Sequence, residues 1–227
     1  MRLRALAKLT LTLRVTGVRN DGFHLLDSEM VTLDLADDLT FTVNGTNELP
    51  PDNLVSRALV AVGRDAHVSL VKRIPIGGGL GGGSADAAAV LRWAGCTDLG
   101  LAATLGSDVP FCLVGGRAQV TGVGEVLAPL DYDEVRGQAF TLLTPPFGVS
   151  TPAVYRAWDD LGGPTAEGPN DLEPAALVVE PRLREWRDRL GRATGQQPVL
   201  AGSGSTWFVR GSYEDVDGGV VTRIDRP

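Results

Sequence analysis

The sequence is poor in the residues that usually make a metal centre or a disulfide framework. It has two cysteines, Cys96 and Cys112, and two histidines among 227 residues. They lack metal-ligand spacing, so no zinc or other built-in metal site is expected. Two isolated thiols suit a reducing, cytoplasmic setting, where both stay free. Long apolar runs are also missing. No stretch approaches the roughly 20 apolar residues that a membrane-spanning helix needs. The opening MRLRALAKLTLTLRV is broken by Arg4, Lys8 and alternating threonines, so it does not read as a secretory leader. An excess of positive charge is absent too. Lys and Arg total 21 against 28 Asp and Glu, a net charge of −7. Such a chain is a poor general partner for nucleic acid, whose affinity comes mainly from Lys and Arg. The expectation is a protein with neither membrane nor nucleic acid as partner. Small anions remain open to it, because backbone N–H groups bind phosphate without any net positive charge.

Apolar residues make up 43% of the chain, enough for a real core. The length suits one large domain or two small ones. Residues 8–16, KLTLTLRVT, alternate: Leu9, Leu11, Leu13 and Val15 face one way, and Lys8, Thr10, Thr12, Arg14 and Thr16 the other. That pattern predicts a half-buried strand. Asn20, Asp21 and Gly22 supply a turn. EMVTLDL and LTFTV read as further strands, with a turn at Asp37–Asp38 between them. A helix over LVSRALVAVG, a strand over HVSLVKRI and a hairpin over RAQVTGVGEVLAPL follow. A boundary is placed near residues 131–137, giving units 1–135 and 136–227. In the second unit QAFTLLTP reads as a strand, STPAVYRAWDDLG and PRLREWRDRLGRATG as helices, and PVLAGSG, TWFVRG and GGVVTRID as three short strands.

The most informative stretch is IPIGGGLGGGSADAAAVLRWAG, from Ile74 to Gly95. Six of the seven residues from Gly77 to Gly83 are glycine, and an alanine-rich helix pattern follows at once. Glycine permits positive φ and close approach of a ligand to the main chain. A helix N-terminus offers unpaired N–H groups and partial positive charge. Strand, glycine loop and helix start together make an anion site, most often for phosphate. Ser84 is placed to cap the helix or to face a phosphate or metal, and Asp86 to sit in the first turn. The spacing Gly77-x-Gly79-x-x-Gly82 fits a Rossmann fingerprint only because so many glycines fit any spacing, and no βαβ unit accompanies it. A Walker loop is excluded, since no Gly-Lys-Ser/Thr follows.

The segment PIGGGLGGGSADAA resembles the phosphate loop of the GHMP kinases. Within that superfamily, AKLTLTLRVTGVRNDGFH, GSDVPFCLVGGRAQVTGVGEVLAPL, GVSTPAVYRAWD, NDLE and LAGSGSTWFV resemble, in order, segments of the 4-diphosphocytidyl-2-C-methyl-D-erythritol kinase family. The resemblance implies an α+β, two-domain GHMP kinase fold. Its N-terminal domain would be of the ribosomal-protein-S5-domain-2 kind, and its C-terminal domain ferredoxin-like. It implies transfer of the ATP γ-phosphate to the 2-hydroxyl of 4-diphosphocytidyl-2-C-methyl-D-erythritol, a step of non-mevalonate isoprenoid synthesis. A monomer or weak dimer is expected, with magnesium arriving on the ATP.

Residue by residue, the resemblance gives Asp108 the role of base and Lys8 that of its catalytic cation. ATP would bind across Pro75, Ile76, Gly77, Gly78, Gly79, Leu80, Gly81, Gly82, Gly83, Ser84 and Ala85. Phe23, His24 and Tyr155 would hold the cytosine, and Thr10, Gly202 and Gly204 would line the rest of the substrate site. Asn53 matches an asparagine near the nucleotide and serves equally as a helix N-cap. Thr10 stands where the family usually has Asn, and Ala85 where it has a second Ser. The connection from Trp93 to Leu101 is short, and little helix fits between Val209 and Gly219. Other readings are a different small-alcohol kinase of the superfamily, against which DGFH argues, and a nucleotide-binding relative without catalysis. A nicotinamide oxidoreductase would need the βαβ unit that is lacking.

Overall fold

A computed structural model describes residues 1–227. The first strand, β1 (Arg2–Val18), pairs antiparallel along nearly the whole of β2 (His24–Val43). The turn between them uses the expected chemistry: Gly22 has φ +85° and the Phe23 N–H donates to Asp21. The long β2 then serves two partners. Its first half pairs with β4 (Arg117–Gly122) and its second half with β3 (Ala66–Val71). Strand β5 (Val126–Pro129) completes this sheet beside β4.

Four helices accompany the sheet: α1 (Leu54–Ala61), α2 (Gly82–Trp93), α3 (Leu99–Leu105) and α4 (Val109–Val114). The α2 segment is buried without a break from Ala85 to Leu91. Its alanines let it lie close to its neighbours, while Val90 and Leu91 fill the core cluster with Leu9, Leu39 and Phe41. Truncating Leu91 to Ala there would cost about 2–5 kcal/mol by transfer and cavity terms. Gly95, at φ +72°, follows its C-terminus as the sequence predicts.

The second sheet contains β6 (Ala139–Leu143), β7 (Val199–Leu200), β8 (Trp207–Arg210) and β9 (Gly219–Arg223), in the order β7-β8-β6-β9 and antiparallel throughout. That is ferredoxin-like strand order. The second crossover helix is replaced by a turn over residues 211–218, as the short connection predicted. Helices α5 (Thr151–Asp160), α6 (Glu173–Val179) and α7 (Leu183–Thr194) cover one face, where Leu143, Trp207 and Val209 meet Leu172, Leu183 and Leu190. The opposite face puts Phe140, Leu142 and Phe208 into the same cluster as Leu9 and Leu33. Bridges between Leu33 and Ile224, just past β9, and between Leu13 and Asn170, just ahead of α6, tie the first sheet to the second unit.

Three local expectations are corrected. Asp37–Asp38 is not a turn: β2 runs straight through it, because Asp37 has buried partners that satisfy its carboxylate. The strand β1 is not half-buried around Lys8. Lys8 and Thr10 are as buried as Leu9, since the glycine loop covers their face. Helix α6 lies in a stretch given no helix from sequence, starting at Glu173 with Pro174 in its first turn.

Candidate active site

The site is assembled around the middle of β1. Register slips between Leu6 and Lys8 and between Thr10 and Thr12 interrupt the β1–β2 ladder on either side of Lys8–Thr10. Such irregularities free a strand's backbone for other partners. The Lys8 N–H takes one, donating to Leu80 O of the glycine loop at 3.0 Å. The Lys8 ammonium is buried and donates to Thr10 Oγ1 at 3.0 Å. It lies 3.3 Å from Asp108 Oδ2. Lys8 is 7% exposed at its side chain and Asp108 29%, so the carboxylate is the member of the pair that a ligand can reach. Asp108 stands at the N-terminus of α4 but does not cap it with its side chain.

The glycine loop fits against this pair with no room for side chains. A Cβ on Gly81 would sit 2.7 Å from Lys8 Cγ, and one on Gly79 would sit 2.2 Å from Ala201 O. Both glycines have positive φ, +67° and +76°. Gly78 O accepts from the Thr206 N–H, which ties the loop to the 201–206 turn. In that turn Gly202 adjoins Lys8: a Cβ there would lie 3.5 Å from the ammonium and 3.8 Å from Thr10 Oγ1. Gly202 and Gly204 have φ +59° and +91°, conformations that favour glycine.

The loop runs into α2 through Gly81, the N-cap, which makes no side-chain cap. Ser84 therefore does not cap the helix; it is a half-buried residue beside the segment that leads to Asp108, with its Oγ 4.0 Å from where a Gly106 Cβ would be. Asp86 lies beyond the first turn and is buried, so it does not serve the helix dipole. Burial foremost, and the nearby Asp37 carboxylate after the opposing pull of Lys72, hold its pKa up at about 7. Asn53 caps α1, its Oδ1 accepting from the Val55 N–H at 2.9 Å.

His24 begins β2 and meets α5. Its ring lies 4.6 Å from that of Tyr155, tilted by 33°, and edge-on to Trp158 at 5.5 Å. His24 Nε2 is 2.8 Å from Asp159 Oδ1. Burial first, and the Asp108 charge second, push the Tyr155 phenol well above its ordinary range, so the phenol stays protonated and feels the reacting end of the site. Phe23 differs. It is 61% exposed and stacks on no ring of the protein.

Several residues absent from the sequence-based site turn out to build it. Asn170 Nδ2 donates to Leu200 O at 2.8 Å and to Gly202 O at 2.7 Å, fixing the turn opposite Lys8. Asp171 accepts from Arg14 and from the Val15 and Ala166 N–H groups, locking that segment to β1. Thr144 and Thr206 share a hydrogen bond of 2.9 Å beneath the loop. The signal for the first two was the NDLE segment, two polar residues ahead of an apolar run.

Both cysteines are free. Cys112 is buried one turn after Asp108, and burial, reinforced by that carboxylate, raises its thiol pKa to about 12. No group of three or more His, Cys, Asp or Glu could hold a metal ion, and no helix is long and apolar enough to cross a membrane.

A buried lysine paired with a partly exposed aspartate, beside a glycine loop that leads into a helix, is the site of a GHMP kinase. Residues 53–116 match the GHMP kinases N terminal domain. The solved homoserine kinase of Cytophaga hutchinsonii shares the fold at a TM-score of 0.63 and 17% identity, covering 98% of this chain and 96% of its own. The similarity is much greater to one branch. A 4-diphosphocytidyl-2-C-methyl-D-erythritol kinase of Paracoccus denitrificans is 39% identical over 89% of this chain and 84% of its own length. The Heliobacterium modesticaldum kinase of the same name is 36% identical over 91% and 84%. A solved 4-(cytidine 5'-diphospho)-2C-methyl-D-erythritol kinase superposes at a TM-score of 0.81 with 33% identity, covering 99% of this chain and 100% of its own. The chain belongs to the 4-diphosphocytidyl-2-C-methyl-D-erythritol kinase family.

Proposed function

We propose that this chain transfers the γ-phosphoryl group of ATP to the 2-hydroxyl of 4-diphosphocytidyl-2-C-methyl-D-erythritol, in isoprenoid synthesis. The observation that carries the reading is the Lys8–Asp108 pair, 3.3 Å apart beside a glycine loop at a helix start. Phosphoryl transfer asks a protein mainly for positioning and charge stabilisation. The loop from Pro75 to Ala85, with its backbone N–H groups and the start of α2, is the proposed seat of the ATP phosphates. Asp108 accepts the proton of the 2-hydroxyl as its oxygen attacks the γ-phosphorus in line. The bond to the β-phosphate oxygen breaks and ADP leaves with the electron pair. Lys8, 3.3 Å from Asp108, offsets negative charge during the step.

A magnesium ion would arrive with ATP, its ligands mostly phosphate oxygens. The Ser84 hydroxyl is the group that would face it, and bound there it would neutralise phosphate charge. His24, Tyr155 and Trp158 form the aromatic wall on which the cytosine would lie. Phe23, exposed at the mouth, is proposed to cover the base once substrate is bound. Thr10, hydrogen-bonded to Lys8, would support the cation where the family's Asn contacts substrate. We place the domain boundary at residue 135, between the end of β5 and the start of β6.

The deciding experiment is coupled ADP release with magnesium-ATP and the cytidine substrate, for the wild type and Asp108→Asn. Turnover that needs the cytidine substrate and falls at least about 10²-fold in the variant supports the assignment, the scale of general-base catalysis. Turnover with another small alcohol alone would sink the cytidine site, and ATP binding without turnover would sink the kinase.

A further inference from the structure

A second ionic cluster sits at the roots of the glycine loop, apart from Lys8 and Asp108. Its members come from three elements: Asp37 from β2, Lys72 from the residues after β3, and Asp86 from α2. Asp37 is fully buried. Its Oδ1 accepts from the N–H groups of Arg73 at 2.5 Å and Ile74 at 2.8 Å, and its Oδ2 from the Lys72 ammonium. The same ammonium donates to Asp86 Oδ2 at 2.7 Å. Asp86 is 3% exposed, and its other oxygen has no partner.

As a stabilising device this is a poor one. Two carboxylates are desolvated against one cation, and a buried oxygen goes unpaired. Apolar replacements of such clusters are often neutral or stabilising. The geometry serves another end. Residues 73 and 74 are the chain entering the loop, and Asp86 lies on the helix leaving it. Lys72 thus joins the two roots of a segment with six glycines. Its Nζ lies 3.3 Å from where a Cβ on Gly82 would be, against the first residue of α2. A free glycine-rich loop would lose much conformational freedom on closing round a polyanion. Clamping both roots removes much of that loss beforehand.

We propose that Lys72, acting through Asp37 and Asp86, is a positioning residue for the nucleotide: it presets the span of the phosphate loop. The inference rests on the loop being the ATP site. It goes beyond that reading in giving ATP affinity, separately from chemistry, to a cluster that reaches the nucleotide only through the loop.

The test is equilibrium binding of a fluorescent N-methylanthraniloyl ATP with magnesium, alongside steady-state kinetics, on the full chain. Lys72→Met is expected to raise the Kd of the analogue and the KM for ATP about tenfold, the scale of one lost hydrogen bond to a charged group. The KM for the cytidine substrate should stay within about twofold and kcat within about threefold, changes below the size of such a bond. Lys72→Arg, which can still bridge two carboxylates, should restore ATP affinity. If Lys72→Met does not fold, Asp86→Asn decides. A folded Asp86→Asn with a lower Tm but wild-type KM for ATP overturns the proposal. Equal losses in both KM values, or no rescue by arginine, overturn it as well. Wild-type protein that binds no analogue would instead overturn the loop as ATP site, so the two failures are distinct.

Discussion

Asn170 holds Gly202 in place: its buried amide donates to the Gly202 carbonyl at 2.7 Å and to Leu200 O at 2.8 Å, while its oxygen accepts from the Leu172 N–H. Gly202 is the residue against which the Lys8 ammonium rests. Asn170→Ala strands three buried backbone groups, so stability should fall by roughly 2–4 kcal/mol. Because the turn it releases faces Lys8, kcat should fall more than the KM for ATP rises. Thermal unfolding and the kcat-to-KM split measure both effects. Full activity in a destabilised variant would show that the turn's position does not matter to the chemistry.

Lys8→Met should abolish turnover to the same order as Asp108→Asn, about 10²-fold or more, since the two act as one unit. Lys8→Arg should not rescue it. The guanidinium is larger and planar, and Gly81 closes on the lysine stem so tightly that a Cβ there would lie 2.7 Å from Lys8 Cγ. Single-turnover rates at saturating ATP test this directly. An active arginine variant would mean that the wall around Lys8 yields.

The Asp86 carboxyl gives the fold a pH signature. Burial leads its rise from 3.8 to about 7, and Lys72, Asp37 and the Cys112 thiol are the ionisable groups facing it. Its folded-state pKa lies above its unfolded one. Its contribution is therefore fully present below about pH 4 and is lost as pH rises to about 7. Asp86→Asn removes that slope. Denaturant midpoints at pH 5, 6, 7 and 8 should show the wild type losing stability relative to the variant up to about pH 7, then running parallel. Parallel curves throughout would show that Asp86 titrates normally.

Asp159 of α5 holds the His24 ring of β2 at 2.8 Å. If His24 lies in the cytosine site, Asp159→Ala should raise the KM for the cytidine substrate several-fold and leave the KM for ATP unchanged. The aspartate is about half exposed, so little stability is at stake. Initial-rate kinetics with each substrate varied in turn would show this. A change confined to ATP would remove His24 from the base site.

Much of this was readable from the residues, for physical reasons. Six glycines before an alanine helix have few uses other than close approach to a ligand, and the structure keeps Gly79 and Gly81 where no side chain fits. The four strands of the second sheet follow from short apolar runs between turns. What was hidden depends on tertiary burial. Lys8 and Thr10 alternate like a solvated strand face, and only the loop folding over them makes that face an interior. Asp37 and Asp38 look like a turn because paired aspartates usually shun strands, yet Asp37 has two N–H groups and an ammonium from residues 72–74 waiting for it. Neighbouring positions also differ in what packing makes of them: Phe23 stands in the open while His24 makes the ring contacts.

The bond from the Lys8 N–H to Leu80 O has a use of its own. An amide proton held by another segment can exchange with solvent only when that segment lets go. Lys8 thus carries a single-site clock for the glycine loop. Its deuteration rate in the free protein counts how often the loop lifts off β1, and its slowing with bound nucleotide would time the closed state without any label.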